Sequence, residues 1–494
     1  MPKFAVSISK KYLPLCTAAP LALALTGCMG GGAIPSASTP ITQTEAQQGA
    51  EMHPQLLQEF GGAMTGAHAN YVASVGQKIA VQSGLATTPG AFNVSLLNSS
   101  VNNAFAIPGG YVYTTRQLVT LMNNEAELAG VLGHEVGHVA ARHSQRRQAK
   151  AQQNALLGLL GQIAGAVVGG NIGGLIAEGS QYTQLLTLKF SRSQELQADE
   201  LGIQYLGSAG YDPRAMSTVL QSLAAQNALD AQLQGRANAT IPEWASTHPD
   251  PASRVQTALS KAQPLPSGVT NRDQFLTRID GLLYGDDPEQ GVIEGSQFIH
   301  PQLRLAFTAP NGFYMVNGTR AVSINGQSGK AQMTTASYDG NLENYVRAQF
   351  TALGGDKVKL APASLNRTTV NGIRAAVGTA RVNNGSSQVD VVVYAYEFSS
   401  NQAFHFTAIT PAGSSNVFAS MFTSMRRVSD SEAAGVIPRR IDVVTVRSGD
   451  TISGLAKRMA YSNGQEARFR VLNALGTSNS LQAGQKVKIV VRAR

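Results

Sequence analysis

Charge, cysteine and long apolar runs are all scarce in this chain. Only 14% of its 494 residues are charged. Glycine, serine, asparagine and glutamine are plentiful instead, a balance that suits a protein outside the cytoplasm better than one inside it. The formal net charge of +9 is spread thinly, with no Lys/Arg block interleaved with aromatics. That argues against nucleic acid as a partner and for an anionic cell-wall or membrane surface. Cysteine occurs only at Cys16 and Cys28, which excludes a disulfide framework. The apolar run from Tyr12 to Leu25 is too short to span a bilayer. A second run, Leu156 to Ser180, is rich in glycine and interrupted at Asn171. It reads first as a buried helical hairpin, next as a surface dipping into a bilayer interface, and last as a transmembrane segment.

What is present begins with an address. Lys3, Lys10 and Lys11 precede the short apolar run, which is the form of a secretory signal over residues 1–27. Leu25-Thr26-Gly27-Cys28 resembles a bacterial lipobox, which would make Cys28 the lipidated first residue of the mature protein. Met29 follows it in place of aspartate, which by the same resemblance points to the outer membrane. Residues 28–50 have few large apolar groups and read as a tether.

The stretch NNEAELAGVLGHEVGHVAARH, Asn123 to His143, organises the rest. Leu128, Val131, Leu132, Val136 and Val139 recur at helical spacing. Asn123 or Asn124 can cap the start, and Glu125 and Glu127 sit in the first turn, where the helix dipole favours acids. His134 and His138 are four apart, so both imidazoles leave one face and can converge on one ion, with Glu135 one step round. This is the His-Glu-x-x-His signature of zinc hydrolases. Neutral imidazoles suit zinc, and the neighbouring carboxylate can take a proton from attacking water. A third protein ligand is required. FSRSQELQADELG, Phe190 to Gly202, offers Glu195 as that ligand, and Asp199 on the same face to accept the outer N–H of a ligand histidine.

HEVGH, the downstream Glu-Leu-Gln-Ala-Asp, the upstream NNAFAIPGGYVYTTRQLV (Asn102 to Val119) and STHPDPASR (Ser246 to Arg254) together resemble the HtpX-like and CaaX-prenyl-endopeptidase family, in its soluble periplasmic branch. The motifs keep the family's order between about residues 51 and 262. The resemblance implies a mainly α gluzincin, zincin-like peptidase domain with a small sheet. It implies one Zn2+ per chain on His134, His138 and Glu195, with Glu135 as general base and Asp199 behind a ligand. It also implies that His248 approaches the metal from a loop, to occupy the water site or to assist catalysis. Arg254 would stabilise an oxyanion or tie the loop down.

At this length about two to four domains are expected. The peptidase domain takes 51–262, and prolines in Lys261 to Gly268 open a linker over 263–298. Within the peptidase domain Asn93 to Leu97, Ala104 to Ile107 and Tyr111 to Thr114 read as strands. The last two would form a hairpin that either borders the cleft and pairs with extended substrate or is an ordinary core hairpin. His53 and His68 read as structural. Residues 299–430 read as an α+β sandwich-like domain of PsbP/Mog outline, with strands near 303–309, 320–324, 330–337, 373–382, 388–398 and 403–409 and helices near 341–353 and 416–425. His300 and His405 are lone histidines there, and the domain has a recognition role by default. Residues 441–494 resemble a small βααβ LysM module through the Ser-Gly-Asp-Thr turn, a helix from Ile452 to Met459, Asn473 and Gly484-Gln485. The resemblance implies a grip on N-acetylglucosamine chains, although Tyr461 to Arg470 is longer and more charged than usual.

The function expected is a lipid-anchored periplasmic zinc metalloendopeptidase that cleaves misfolded or stalled envelope and outer-membrane proteins. A peptidoglycan-directed zinc hydrolase, or a wall-anchored chaperone with a silent zinc site, are the alternatives.

Overall fold

The structure, a computed structural model, describes residues 39–147, 190–233, 248, 250–354, 359–383, 388–477 and 480–493. The signal segment, Cys28 and the run from Leu156 to Ser180 lie outside the described residues. No helix among the described residues is long and apolar enough to cross a membrane.

Helices α1 (Gln43–Glu59) and α2 (Ala67–Ala80) lead into strands β1 (Asn93–Leu97), β2 (Ala104–Ile107) and β3 (Tyr111–Thr115). β3 is the middle strand, parallel to β1 and antiparallel to β2, so β2 lies at a sheet edge. A short α3 (Arg116–Leu121) then delivers the chain to α4 (Glu125–Ala140). Asn124, not Asn123, caps α4 by accepting from the Glu127 N–H, and Glu125 and Glu127 occupy the first turn. All of α4 except Val139 is buried, so every polar side chain it carries must find a partner inside the protein. Against it packs α5 (Arg192–Ser208), opened by a capping box between Ser191 and Gln194. Helices α6 (Ala215–Leu233) and α7 (Pro251–Ala262) complete this core.

Two expected boundaries change. Residues 43–50, placed in the tether, form the first turns of α1: Thr42 and Glu45 make a capping box, and Glu45 is buried against Arg142. Gly49 is buried beside Pro108 and Tyr111 while Gln43, Thr44, Gln47 and Gln48 stay exposed, so the scarcity of large apolar groups here marks the solvated face of a helix and not an unstructured leader. The expected linker over 263–298 also folds. Its α8 (Arg272–Ile279) buries Phe275, Leu276 and Ile279 in the peptidase core, and β4 (Leu283–Tyr284), β5 (Val292–Glu294) and β6 (Gln297–His300) follow.

The next region has three layers. A seven-stranded sheet is built from β8 (Tyr314–Asn317), β9 (Val322–Gly326), β10 (Gly329–Thr335), β11 (Ser364–Val370), β12 (Ile373–Asn383), β13 (Gln388–Ser399) and β14 (Gln402–Pro411). In β13 the side chains alternate: Val391, Val393 and Ala395 pack under α9 (Leu342–Gly354), while Val392, Tyr396 and Phe398 face the other way. There they meet a smaller sheet of β5, β6, β7 (Leu305–Thr308) and β15 (Arg426–Arg427). β4, β5, β6, β8, β11 and β15 lie outside the stretches that the sequence pattern marks as strands.

The C-terminal module has β16 (Arg439–Thr445), α10 (Ile452–Ala456), α11 (Gln465–Leu472) and β17 (Lys486–Arg492), with β16 and β17 antiparallel. Its sheet takes a third strand from elsewhere, since β4 pairs with β16.

Candidate metal centre

α4, α5 and the turn before α7 bring four donors together. His134 and His138 are one helical turn apart, and their Nε2 atoms lie 3.0 Å from each other. From α5, Glu195 places Oε1 3.3 Å from His138 Nε2 and Oε2 3.7 Å from His134 Nε2. His248 arrives with Nδ1 3.1 Å from Glu195 Oε1 and 3.3 Å from His134 Nε2. One ligand atom from each of the four lies within 4.8 Å of the others, and none of the residues is more than 4% exposed.

This group fits a cation better than it fits itself. Imidazole nitrogens that face one another in a dry pocket set lone pair against lone pair unless a proton or a metal stands between them. Glu135 Oε1 is buried there without a hydrogen-bond partner among the described residues, 3.5 Å from His248 Nε2. Imidazole nitrogen with one carboxylate oxygen is a donor set that zinc accepts, and His134, His138 and Glu195 would hold it.

The electrostatics follow from burial among carboxylates. Burial opposes ionisation of Glu135 and raises it above the ordinary carboxylate range, against the pull of His248 and His134. Burial acts the same way on Glu195, but His248, His138 and His134 outweigh it and hold that carboxyl low. His138 is pushed well down, chiefly by desolvation. His248 is desolvated too, yet Glu195 and Glu135 hold it up.

Behind the four stands an outer layer. Asp199 Oδ1 is 2.9 Å from His134 Nδ1, the ring nitrogen turned away from the cluster. Burial opposes its charge, but hydrogen bonding from His134 and the Arg254 guanidinium hold its pKa at about 2. Arg254 Nε donates to Asp199 Oδ2 at 2.8 Å and its Nη1 donates to Glu195 Oε2. A guanidinium on α7 engaged on two carboxylates from α5 aligns the two helices against each other.

Sequence reasoning missed His143 and the ring of Phe190. His143 Nδ1 lies 2.9 Å from His138 Nδ1, and Phe190 stacks on the His138 ring with centroids 3.8 Å apart. His143 stands five residues past His138, out of helical register. Arg142, with φ at 52°, breaks the helix in the left-handed region and turns His143 back. The remaining histidines make structural contacts: His53 with the Tyr113 hydroxyl, His68 with the Asp280 carbonyl, His300 with the Leu303 N–H and His405 with the Tyr345 hydroxyl. In the module, Asn473 is buried and ties the end of α11 to β17 through the Lys488 backbone, a role in the module's fold.

Residues 67–262 match the model of Peptidase family M48, and residues 444–490 match that of the LysM domain. A protein named Beta-barrel assembly-enhancing protease from Yersinia pestis is 34% identical over 225 residues, which cover 44% of this chain and 44% of that one. Its namesake from Escherichia coli (strain K12) is 34% identical over 218 residues, 42% of this chain and 41% of that one. Mitochondrial metalloendopeptidase OMA1 of Arabidopsis thaliana is 34% identical over 195 residues, 38% of this chain and 36% of that one. The chain thus spans less than half the length of these relatives. The matched segment holds the whole of the donor cluster with Glu135, Asp199 and Arg254, so residues 67–262 are a peptidase family M48 domain, joined in one chain to a LysM domain.

Proposed function

We propose that this chain is a zinc metalloendopeptidase of envelope protein quality control, acting on misfolded or stalled envelope and outer-membrane proteins. The observation that carries the reading is the convergence of His134, His138 and Glu195 with the Glu135 carboxyl beside them. The names of the relatives, a barrel-assembly protease and a metalloendopeptidase, support the reaction class and the client class.

A zinc ion in the cluster supplies a Lewis acid that polarises water and the scissile carbonyl. Glu135, whose burial raises it above the ordinary carboxylate range and so makes its carboxylate a stronger base, would take the proton of the attacking water and return it to the leaving amine. Asp199 holds His134 with Nε2 directed at the ligand position, and Arg254 fixes Glu195 and Asp199 in register. The β2 edge is the stretch against which an extended substrate would pair, and its partner strand β3 lies wholly on the other side.

His248 lies between Glu135 and the ligand set, where it would stand in the way of a water placed between them. It is therefore read as a latch that holds the site closed. A lipid on Cys28 would anchor the chain at the outer membrane on its periplasmic side, and the LysM domain would reach peptidoglycan.

Zinc content and casein cleavage compared across wild type, Glu135→Gln and His248→Ala test this. Glu135→Gln should abolish cleavage with zinc retained, and His248→Ala should raise it. Unchanged cleavage by Glu135→Gln would remove the mechanism, and loss of cleavage in His248→Ala would remove the latch. Release of muropeptides from sacculi would favour a wall hydrolase.

A further inference from the structure

The two histidines of α4 are supported differently. His134 Nδ1 faces the anionic Asp199 at 2.9 Å. His138 Nδ1 instead faces a second imidazole, His143 Nδ1, at 2.9 Å, and His143 Nε2 in turn lies 3.0 Å from Gln197 Oε1. Gln197 is exposed on α5, two residues from Glu195, whereas His143 is buried.

With the Gln197 carboxamide oxygen facing His143 Nε2, one arrangement of protons on neutral rings satisfies all three groups. The Gln197 carbonyl oxygen accepts, so His143 carries its proton on Nε2 and offers a lone pair on Nδ1. His138 must then donate from Nδ1, which leaves its Nε2 lone pair turned toward His134, Glu195 and the metal position. We propose that His143 and Gln197 form a hydrogen-bond relay that fixes His138 as an Nε2 donor, with His143 as a positioning residue. The inference rests on the zinc reading above. It also assigns the two ligands different strengths, because a neutral relay raises the basicity of His138 less than a carboxylate raises that of His134.

The test is zinc affinity of the full-length protein, measured by competition with a chromophoric chelator. His143→Leu removes the acceptor and should weaken zinc by about ten-fold or more. His143→Asn places Oδ1 near the position of Nδ1 and should recover most of that loss. Gln197→Leu should weaken zinc and Gln197→Glu should tighten it, since a carboxylate is the stronger acceptor. In the His143→Leu background Gln197→Glu should gain nothing, which separates the relay from a general effect of added negative charge.

Equal zinc affinity in His143→Leu and His143→Asn would overturn the relay, as would an undiminished gain from Gln197→Glu without His143. Should His143→Leu fail to fold, the opposite signs expected of the two Gln197 variants still decide the matter, because that side chain is at the surface. A wild-type protein that takes up no zinc would instead sink the metal reading on which the relay stands.

Discussion

Glu195 and Asp199 are two buried carboxylates that share one buried guanidinium, and removal of that cation would deprive each of a permanently charged partner, leaving His134, His138 and His248 to offset the cost of their burial. Arg254→Met is therefore expected to destabilise the protein by about 3 to 5 kcal/mol and to lower its zinc content, whereas a surface arginine would cost little. Urea denaturation with metal analysis checks both, and a stable, zinc-replete variant would refute the clamp. Asp199→Asn keeps the shape but loses the charge behind His134, and should weaken zinc about 10- to 100-fold in chelator competition. His405 gives a pH signature remote from the metal. Burial pushes it from 6.5 to about 4, so the unfolded chain takes up the proton first as pH falls. Its contribution is complete above about pH 6.5 and is lost progressively between 6.5 and 4, amounting to about 3 kcal/mol. His405→Phe should flatten the fall in urea stability between pH 7 and 4.5, and an equally steep fall would rule the residue out as its source.

Helices α4 and α5 deliver their ligands because they approach unusually closely. A Cβ at Gly137 would stand 3.1 Å from the Ala198 carbonyl oxygen, and one at Gly202 would stand 3.1 Å from the His134 backbone nitrogen. Both contacts are with backbone, which cannot swing aside as a side-chain tip can. Gly137→Val should cost about 1 to 3 kcal/mol and drive Glu195 away from the imidazoles, so that zinc content falls further than stability. Thermal unfolding of the metal-free protein beside its zinc stoichiometry tests this, and full zinc loading would show that the spacing is not critical. The sequence displays these glycines in HEVGH and ADELG, but as helix-weakening residues. Their meaning needs the partner helix.

Across the whole molecule, the LysM domain is built into the peptidase domain and does not hang from it. Lys488 on β17 is fully buried, and its Nζ donates to the carbonyls of Thr120 and Met122 just ahead of α4. Arg272 on α8 donates to the Lys486 carbonyl, while Arg439 and Arg492 both pair with Glu294 on β5 and so tie the module to the middle region as well. Lys488→Met would strand two carbonyls and should cost about 1 to 3 kcal/mol for each, loosening the module so that proteolysis in its vicinity precedes loss of the peptidase core. Simultaneous cleavage of both regions would contradict that order. The amino-acid order alone determined the donor types and their spacing on α4, the acidic pair Glu195 and Asp199 on one face of a second helix, and the run of three folded regions. These are legible because caps, helical periodicity and strand alternation act over a few residues. Tertiary structure alone decided that Arg142 turns His143 onto His138, that Arg254 is engaged on two carboxylates, that His248 reaches Glu195 and His134, and that β4 completes the module's sheet. Those contacts, like that of Lys488 with Thr120 across 368 residues, join positions distant in the chain, and only the packing of the complete core, not any local propensity, selects which distant groups meet.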